Sequence, residues 1–299
     1  MEQNSLHSSQ EQKSRRHCEA QLLEKVFSLP LPPRRGGYTK CLSSSCPPLE
    51  GDLRGRIEPV RTYQRKNCNK RFLLTMTAGL IIATALFGTA QAQTVKIDSN
   101  YANWYYQQRM EYFAKTPIPK NAIIFLGNSI TERAEWQELL ADSKYPVVNR
   151  GIGGDNSFGI LARMDEIVAA KPKAIYLMDG INDQFRKLPH DVSVYNYKRI
   201  IRKIKQQSPK TKIYVESCLP INESMTKEAY TKDRNVLVPA LNKKIKALAE
   251  EEGVTYIDIC PLFQDDKGVL KQEFTMDGVH LKAAAYIDWV KYLKDKKYL

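Results

Sequence analysis

The sequence predicts an α/β fold in which helices cover both faces of a five-stranded parallel sheet. Short apolar runs alternate five times with helical segments, and the first run, residues 122–127, is apolar on both faces of a strand. Alternation of this kind is typical of parallel sheets, and about 200 residues suffice for one such domain. We therefore expect a single-domain three-layer α/β/α sandwich over residues 93–299.

The first half of this domain carries three of the strands. An aromatic-rich helix is predicted at 101–113, and Pro117 and Pro119 separate it from the strand at 122–127. A helix at 132–141 leads to the second strand at 145–149. The next helix, at 156–170, has apolar residues at helical spacing and leads to the third strand at 173–178.

The second half begins with an amphipathic helix at 191–207. Tyr197, Ile200 and Ile204 fall on one of its sides, and basic residues occupy most of the other. We interpret the basic side as solvated, with contact to an anionic lipid or polysaccharide as the alternative. A strand at 212–218, a helix at 235–252 that ends at Gly253, a strand at 255–260, a loop at 262–275 and a helix at 282–296 complete the domain.

The first 92 residues predict segments of a different kind. Residues 72–89 are almost wholly apolar, basic residues precede them, and Ala90-Gln-Ala92 follows. This pattern is typical of a secretory signal peptide, here at 67–92 and cleaved after Ala92, with an uncleaved membrane anchor as the alternative. Residues 1–66 lack any helical or strand period, which predicts a disordered leader. A translation start further downstream would remove this leader from the native protein.

These features predict an exported protein, periplasmic or secreted, without a stable membrane span after cleavage. The formal net charge is +13, but about half of it lies in residues 1–92, so we expect no nucleic acid partner. Only Cys218 and Cys260 follow the cleavage site, either as a disulfide or as two buried free thiols, and we expect free thiols. Zinc-type cysteine spacing is absent, and we expect neither a metal nor a cofactor.

Four polar segments contain the candidate site residues. Ser129 follows the first strand within Gly127-Asn-Ser129, and the other segments are 149–155, 180–183 and 277–280. Because ligands bind beyond the carboxyl ends of parallel strands, we expect these segments at one edge of the sheet. Each segment alone has a commoner explanation, such as a helix cap at Ser129 or an ordinary turn at 180–183.

In this order, the four segments resemble the four sequence blocks of the SGNH, or GDSL-type, hydrolase superfamily. The resemblance covers roughly residues 100–299, and Leu219-Pro-Ile-Asn222 and Leu281 are most similar to the bacterial branch of small secreted acyl-esterases. It implies a flavodoxin-like sheet with strand order 2-1-3-4-5. It also implies a serine esterase that works through an acyl-enzyme intermediate.

The resemblance assigns a role to each candidate residue. Ser129 is the expected nucleophile, His280 the base and Asp277 the group that orients the imidazole. The expected oxyanion hole consists of the backbone N–H groups of Ser129 and Gly154 and the side-chain amide of Asn182. Many relatives have aspartate in place of Asn128, and we expect little effect of this change on activity.

The expected substrate is a small acyl ester, mainly acetyl, on a carbohydrate, since the sequence shows no long lid. The alternatives are a lysophospholipase or thioesterase of the same superfamily, or a non-catalytic glycan-binding relative. The glycines at 151–154 also fit part of a dinucleotide-binding fingerprint, but Asn156 replaces its third glycine, which disfavours an oxidoreductase. A Gly-x-Ser-x-Gly elbow is absent, which disfavours the α/β-hydrolase fold.

Overall fold

The structure is a computed structural model that describes residues 97–299. The predicted leader at 1–66, the predicted signal peptide at 67–92 and the first four residues of the predicted domain lie outside the described residues. No helix within the described range combines the length and apolar character needed to cross a membrane.

Five parallel strands form one sheet with the order β2-β1-β3-β4-β5, as predicted. The bounds of these strands are β1 Ile123–Gly127, β2 Val147–Gly151, β3 Ala174–Met178, β4 Lys212–Glu216 and β5 Thr255–Ile257. β1 and β3 are buried along their whole length, as expected for strands that have helices on both faces. The predicted strands are confirmed, although β4 and β5 are shorter than expected and β2 begins two residues later.

Helices connect the strands and cover the sheet. The α-helices of the described residues are α1 Trp104–Lys115, α2 Ser129–Glu132, α3 Trp136–Leu139, α4 Ser157–Ala162, α5 Met164–Ala169, α6 Ile181–Phe185, α7 His190–Gln207, α8 Val238–Glu251, α9 Cys260–Phe263 and α10 Ala283–Asp295. Short 3-10 turns lie at Ala229–Thr231, Asn235–Leu237 and Gln272–Phe274.

A row of aromatic rings crosses one face of the sheet. Phe125, Tyr176 and Tyr214 lie in register on β1, β3 and β4, and their rings stack at centroid distances of 4.9 and 4.6 Å. Trp136 stacks on Phe125 at 3.7 Å, and Trp289 of α10 meets Trp136 edge-on at 5.4 Å. This face therefore fixes α3 and α10 against the strands through large, fully buried side chains.

The predicted helix at 132–141 is wrong, because the chain forms α2 and α3 with a break between them. The side-chain amide of Asn149 donates to the carbonyls of Thr131, Glu132 and Ala134, at 3.1, 2.9 and 3.0 Å. The Trp136 indole also donates to Thr131 O, at 2.9 Å. Side chains thus bond carbonyl groups that a continuous helix would bond internally.

The predicted helix at 156–170 is divided at Arg163 into α4 and α5. Asn156 caps α4, since its Oδ1 accepts the N–H groups of Phe158 and Gly159 at 3.0 and 3.1 Å. The amphipathic helix α7 has its apolar side buried as predicted. Its basic side forms ion pairs with neighbouring elements, at Lys198–Glu251, Arg202–Glu252, Lys203–Asp165 and Lys205–Glu252.

The two cysteines of the domain lie at the ends of β4 and β5. Both thiols are free and buried, which confirms the expectation. The Cys260 thiol donates to Cys218 O at 3.2 Å. Burial raises the pKa of Cys260 to about 12, so this thiol remains protonated at neutral pH.

Candidate active site

Ser129, His280 and Asp277 meet at the carboxyl edge of the sheet. Ser129 is the first residue of α2, directly after β1 and Asn128. His280 Nε2 lies 2.9 Å from Ser129 Oγ, and His280 Nδ1 lies 2.6 Å from Asp277 Oδ2. The structure therefore aligns a hydroxyl, an imidazole and a carboxylate in one hydrogen-bonded row.

A tight turn holds Asp277 and His280 in this arrangement. Asp277 Oδ1 accepts the backbone N–H groups of Val279 and His280, at 2.9 and 2.8 Å, and Thr275 Oγ1 donates to His280 O at 2.7 Å. Gly278 has φ +84°, and a Cβ there would lie only 2.3 Å from Asn222 O. The turn therefore requires glycine at this position.

The same turn sets the charge of Asp277. Partial burial raises the pKa of this carboxyl, but hydrogen bonds from the backbone and imidazole of His280, and from Val279 N–H, outweigh it and lower the pKa to about 2. Arg133 lies 3.8 Å away and adds a positive charge at the solvent side. Asp277 is consequently ionised at any pH near neutral.

Gly154 and Asn182 lie on the loops after β2 and β3. Gly154 is exposed with φ +75°, in the turn that precedes α4. Asn182 lies in the first turn of α6, and its Nδ2 donates to Asp155 O at 2.7 Å. Since an amide nitrogen carries two hydrogens, one N–H of Asn182 is left over from this bond. The bond also joins the loop of Asn182 directly to the loop of Gly154.

Arg163 connects the chain segments before Ser129 and around Gly154, and it was not among the residues predicted from the sequence. Its fully buried guanidinium donates to Asp155 Oδ2, Arg150 O and Gly127 O, at 3.0, 2.8 and 3.0 Å. One side chain thus links the ends of β1 and β2 to the turn that contains Gly154. Nothing in a single sequence distinguishes this arginine from one on a solvated helix face.

Three buried carboxyl groups lie beneath the loops, at Asp155, Asp179 and Asp183. Burial raises the pKa of Asp155 to about 6, despite its pairing with Arg163. Burial and the neighbouring carboxyls also raise the pKa of Asp179, and burial raises that of Asp183. Asp183 Oδ1 accepts the N–H of Ser157 at 3.0 Å, which ties α6 to the start of α4. Asp155 and Asp183 thus bond loops to one another.

The second histidine of the domain has different contacts. His190 begins α7, and its Nε2 pairs with Gln184 Oε1 at 3.0 Å. Burial and the charge of Lys244 lower its pKa. Across residues 97–299, no three His, Cys, Asp or Glu side chains are grouped so that they could hold a metal ion.

The row formed by Ser129, His280 and Asp277 is suited to nucleophilic catalysis. A neutral imidazole that donates from Nδ1 to a carboxylate presents Nε2 as an acceptor for the serine proton. Backbone N–H groups and a side-chain amide at the adjacent loop ends are the donor types that stabilise an oxyanion.

Known proteins resemble this chain in sequence and in fold. The sequence profile of the GDSL-like lipase/acylhydrolase family matches residues 125–286. A Streptococcus pneumonia structure, provisionally described as a platelet activating factor, shares 27% identity with a TM-score of 0.57 and covers 74% of this chain and 98% of its own. A GDSL-like lipase from Bacteroides thetaiotaomicron shares 23% identity with a TM-score of 0.54, and the match covers 65% of this chain and 98% of the lipase. The comparison with curated proteins found no match.

Proposed function

Because the chain belongs to the GDSL-like lipase/acylhydrolase family, also known as SGNH hydrolases, we propose that it is a serine esterase. The observation that carries this proposal is the hydrogen-bonded row from Ser129 Oγ through His280 to Asp277. In our proposal these three residues form the catalytic triad, and the reaction passes through an acyl-serine intermediate.

In the first step, Ser129 Oγ attacks the ester carbonyl while His280 Nε2 accepts the hydroxyl proton. The imidazolium that forms is stabilised by Asp277, whose low pKa keeps its charge available. His280 then gives the proton to the leaving alcohol. A water molecule, activated by the same imidazole, releases the acid from Ser129.

We assign the oxyanion hole to Ser129 N–H, Gly154 N–H and Asn182 Nδ2. Support comes from the bond between Asn182 and Asp155 O, which fixes the amide while leaving one N–H for substrate. The contacts of Arg163 with Gly127 O and Asp155 hold the loops of Ser129 and Gly154 at a constant separation. Such prior fixing of donors is what makes an oxyanion hole effective.

The proposed substrate is a small acyl ester, mainly an acetyl ester, of a carbohydrate. The site lies open to water, since the side chains of Asp277 and Arg133 are 48% and 53% exposed. An open, charged surface favours an ester carried on a bulky, hydrophilic alcohol. The leader pattern at 67–92 supports export to the periplasm or beyond.

A panel of esters tests the substrate. Acetylated monosaccharides should be hydrolysed with a higher kcat/KM than lysophospholipids or acyl thioesters of long chain length. The reverse order would favour the lysophospholipase or thioesterase alternative. Binding of acetylated sugars without turnover, and without labelling of Ser129 by a fluorophosphonate, would favour the non-catalytic alternative.

A further inference from the structure

The segment between β4 and α8 packs directly against the turn that contains Asp277 and His280. Asn222 N donates to Gly278 O at 2.7 Å. A Cβ on Gly278 would lie 3.0 Å from Thr226 Cγ2 and 3.2 Å from Met225 Cβ. This segment therefore forms one wall beside the proposed catalytic residues.

Internal hydrogen bonds fix the shape of this wall. The carboxylate of Glu223 accepts three backbone N–H groups, from Asp233, Arg234 and Asn235, at 2.9, 2.8 and 2.6 Å. Further along, the hydroxyls of Thr226 and Thr231 lie 2.7 Å apart. Residues 227–230 therefore lie in a loop that is closed by these hydrogen bonds.

Tyr230 is the large aromatic residue that this loop presents. Its ring meets Phe185 edge-on at 5.2 Å, and Phe185 ends α6, three residues after Asn182. Partial burial raises the pKa of Tyr230, with smaller contributions from the charges of Glu228 and Asp277. The ring thus contacts the end of α6 and lies within electrostatic reach of Asp277, and it remains 52% exposed.

The chemistry of ester hydrolysis tells which part of a substrate would reach this ring. The leaving oxygen must come within hydrogen-bond reach of His280 Nε2, because His280 gives it a proton. The carbonyl oxygen is turned instead toward Ser129, Gly154 and Asn182. Groups around the His280 turn therefore face the alcohol part of the ester rather than its carbonyl oxygen.

We propose that Tyr230 binds the sugar ring of the leaving alcohol, with Phe185 supporting its orientation; this rests on the esterase function proposed above. An exposed tyrosine offers an apolar face to the C–H groups of a pyranose and a hydroxyl to its polar groups. Arg133, 3.8 Å from Asp277, supplies a charged donor at the turn, and Glu228 supplies a charged acceptor close to Tyr230. Tyr230 is thereby a determinant of preference for the alcohol.

Steady-state kinetics with two acetyl esters test this role. The measured quantity is the ratio of kcat/KM for a monoacetylated methyl glucoside to kcat/KM for ethyl acetate, whose alcohol is too small to cover an aromatic ring. Tyr230→Ala should lower this ratio about tenfold, the size of one lost aromatic contact. Tyr230→Phe should keep most of it. Tyr145→Ala is the matched control and should not change the ratio. Tyr145 is also an exposed tyrosine, but it lies just before β2, at the amino ends of the strands and away from the site.

An unchanged ratio in Tyr230→Ala would overturn the proposal. A shift in preference between ethyl acetate and ethyl butyrate would also overturn it, because the ring would then contact the acyl group. Binding of the acetylated glucoside to the Ser129→Ala protein separates this proposal from the esterase function. Adding Tyr230→Ala should weaken that binding about tenfold even if the wild type hydrolyses no ester, and equal affinity would refute the subsite.

Discussion

The side-chain amide of Asn128 donates a 3.1 Å hydrogen bond to Asp179, and so joins the end of β1 to the end of β3. Asn128 Oδ1 accepts the N–H of Ile130 at 3.0 Å, so the same side chain also caps α2. Asn128 and Asp179 are both fully buried. Asn128 therefore serves as donor and acceptor at once beside Ser129, which an ionised aspartate does not.

Asp179 should act as a positioning residue for Ser129. Asp179→Asn keeps an oxygen that accepts from Asn128, and kcat should stay within a few-fold of wild type. Asp179→Ala leaves a buried N–H of Asn128 without a partner, and kcat should fall at least tenfold with little change in KM. Steady-state kinetics on folded variants, checked by circular dichroism, measure both. Equal kcat in the two variants would show that the bond is dispensable.

Ser129→Ala should abolish hydrolysis of short nitrophenyl esters and labelling by a fluorophosphonate. The hydroxyl contributes little to packing, so the melting temperature should change by only a few degrees. Mass spectrometry of the labelled wild type locates the modified residue. A label on a different serine would mean that the nucleophile is misassigned.

Asn182→Ala should lower kcat by roughly 10²–10³, the usual loss for one oxyanion donor. Asn182→Asp is the size-matched variant, and it should lose a similar factor because a carboxylate donates no hydrogen bond. The split between kcat and KM decides the role. A raised KM with unchanged kcat would assign Asn182 to uniform substrate binding.

His280→Ala should remove nearly all turnover, and Asp277→Asn should lower kcat by about 10⁴. His190→Ala is the matched control and should leave kcat within a few-fold of wild type. Because the pKa of Asp277 is about 2, its ionisation should add no step to the pH profile of kcat above pH 4. The opposite result for the two histidines would refute the triad.

Glu216 should make the fold less stable as pH rises. Burial raises the pKa of Glu216 to about 8, so the folded protein keeps a proton that the unfolded chain releases above about pH 4.5. The free energy of unfolding should therefore decrease between pH 5 and 8. Glu216→Gln keeps an acceptor for the Trp289 indole, which donates to Glu216 Oε1 at 2.8 Å.

Urea unfolding at several pH values measures this effect. Between pH 5 and 8, the free energy of unfolding of the wild type should decrease by on the order of a few kcal/mol more than that of Glu216→Gln. Glu250→Gln, an exposed glutamate of α8, is the control and should keep the wild-type slope. Parallel curves for wild type and Glu216→Gln would contradict the assignment.

The alternation of apolar runs and helical periods was sufficient to predict the five strands and most of the helices. The strand order came from the family resemblance, because spacing alone does not say which strands are neighbours. The break between α2 and α3 was not predictable, since it depends on Asn149, which lies far along the chain and bonds the carbonyls of Thr131, Glu132 and Ala134.

Some residues of the candidate site could be predicted from the sequence, and others could not. Ser129, Asp277 and His280 stand in recognisable local segments, and the structure brings them together. Arg163 and Asp179 lie outside any motif, and their importance comes from contacts between distant elements that only a folded chain shows. Sequence patterns identify groups that do chemistry more readily than groups that hold them in place.

The bond between Ser129 and His280 joins residues 151 positions apart. Closing so long a loop has a large entropic cost, and contacts of high sequence separation generally form late in folding. In the proposed triad, Ser129 therefore has no base until the C-terminal part of the chain has joined the sheet. A partly synthesised or partly folded chain would carry an unreactive serine, so that hydrolytic competence is acquired only with the last elements of the fold.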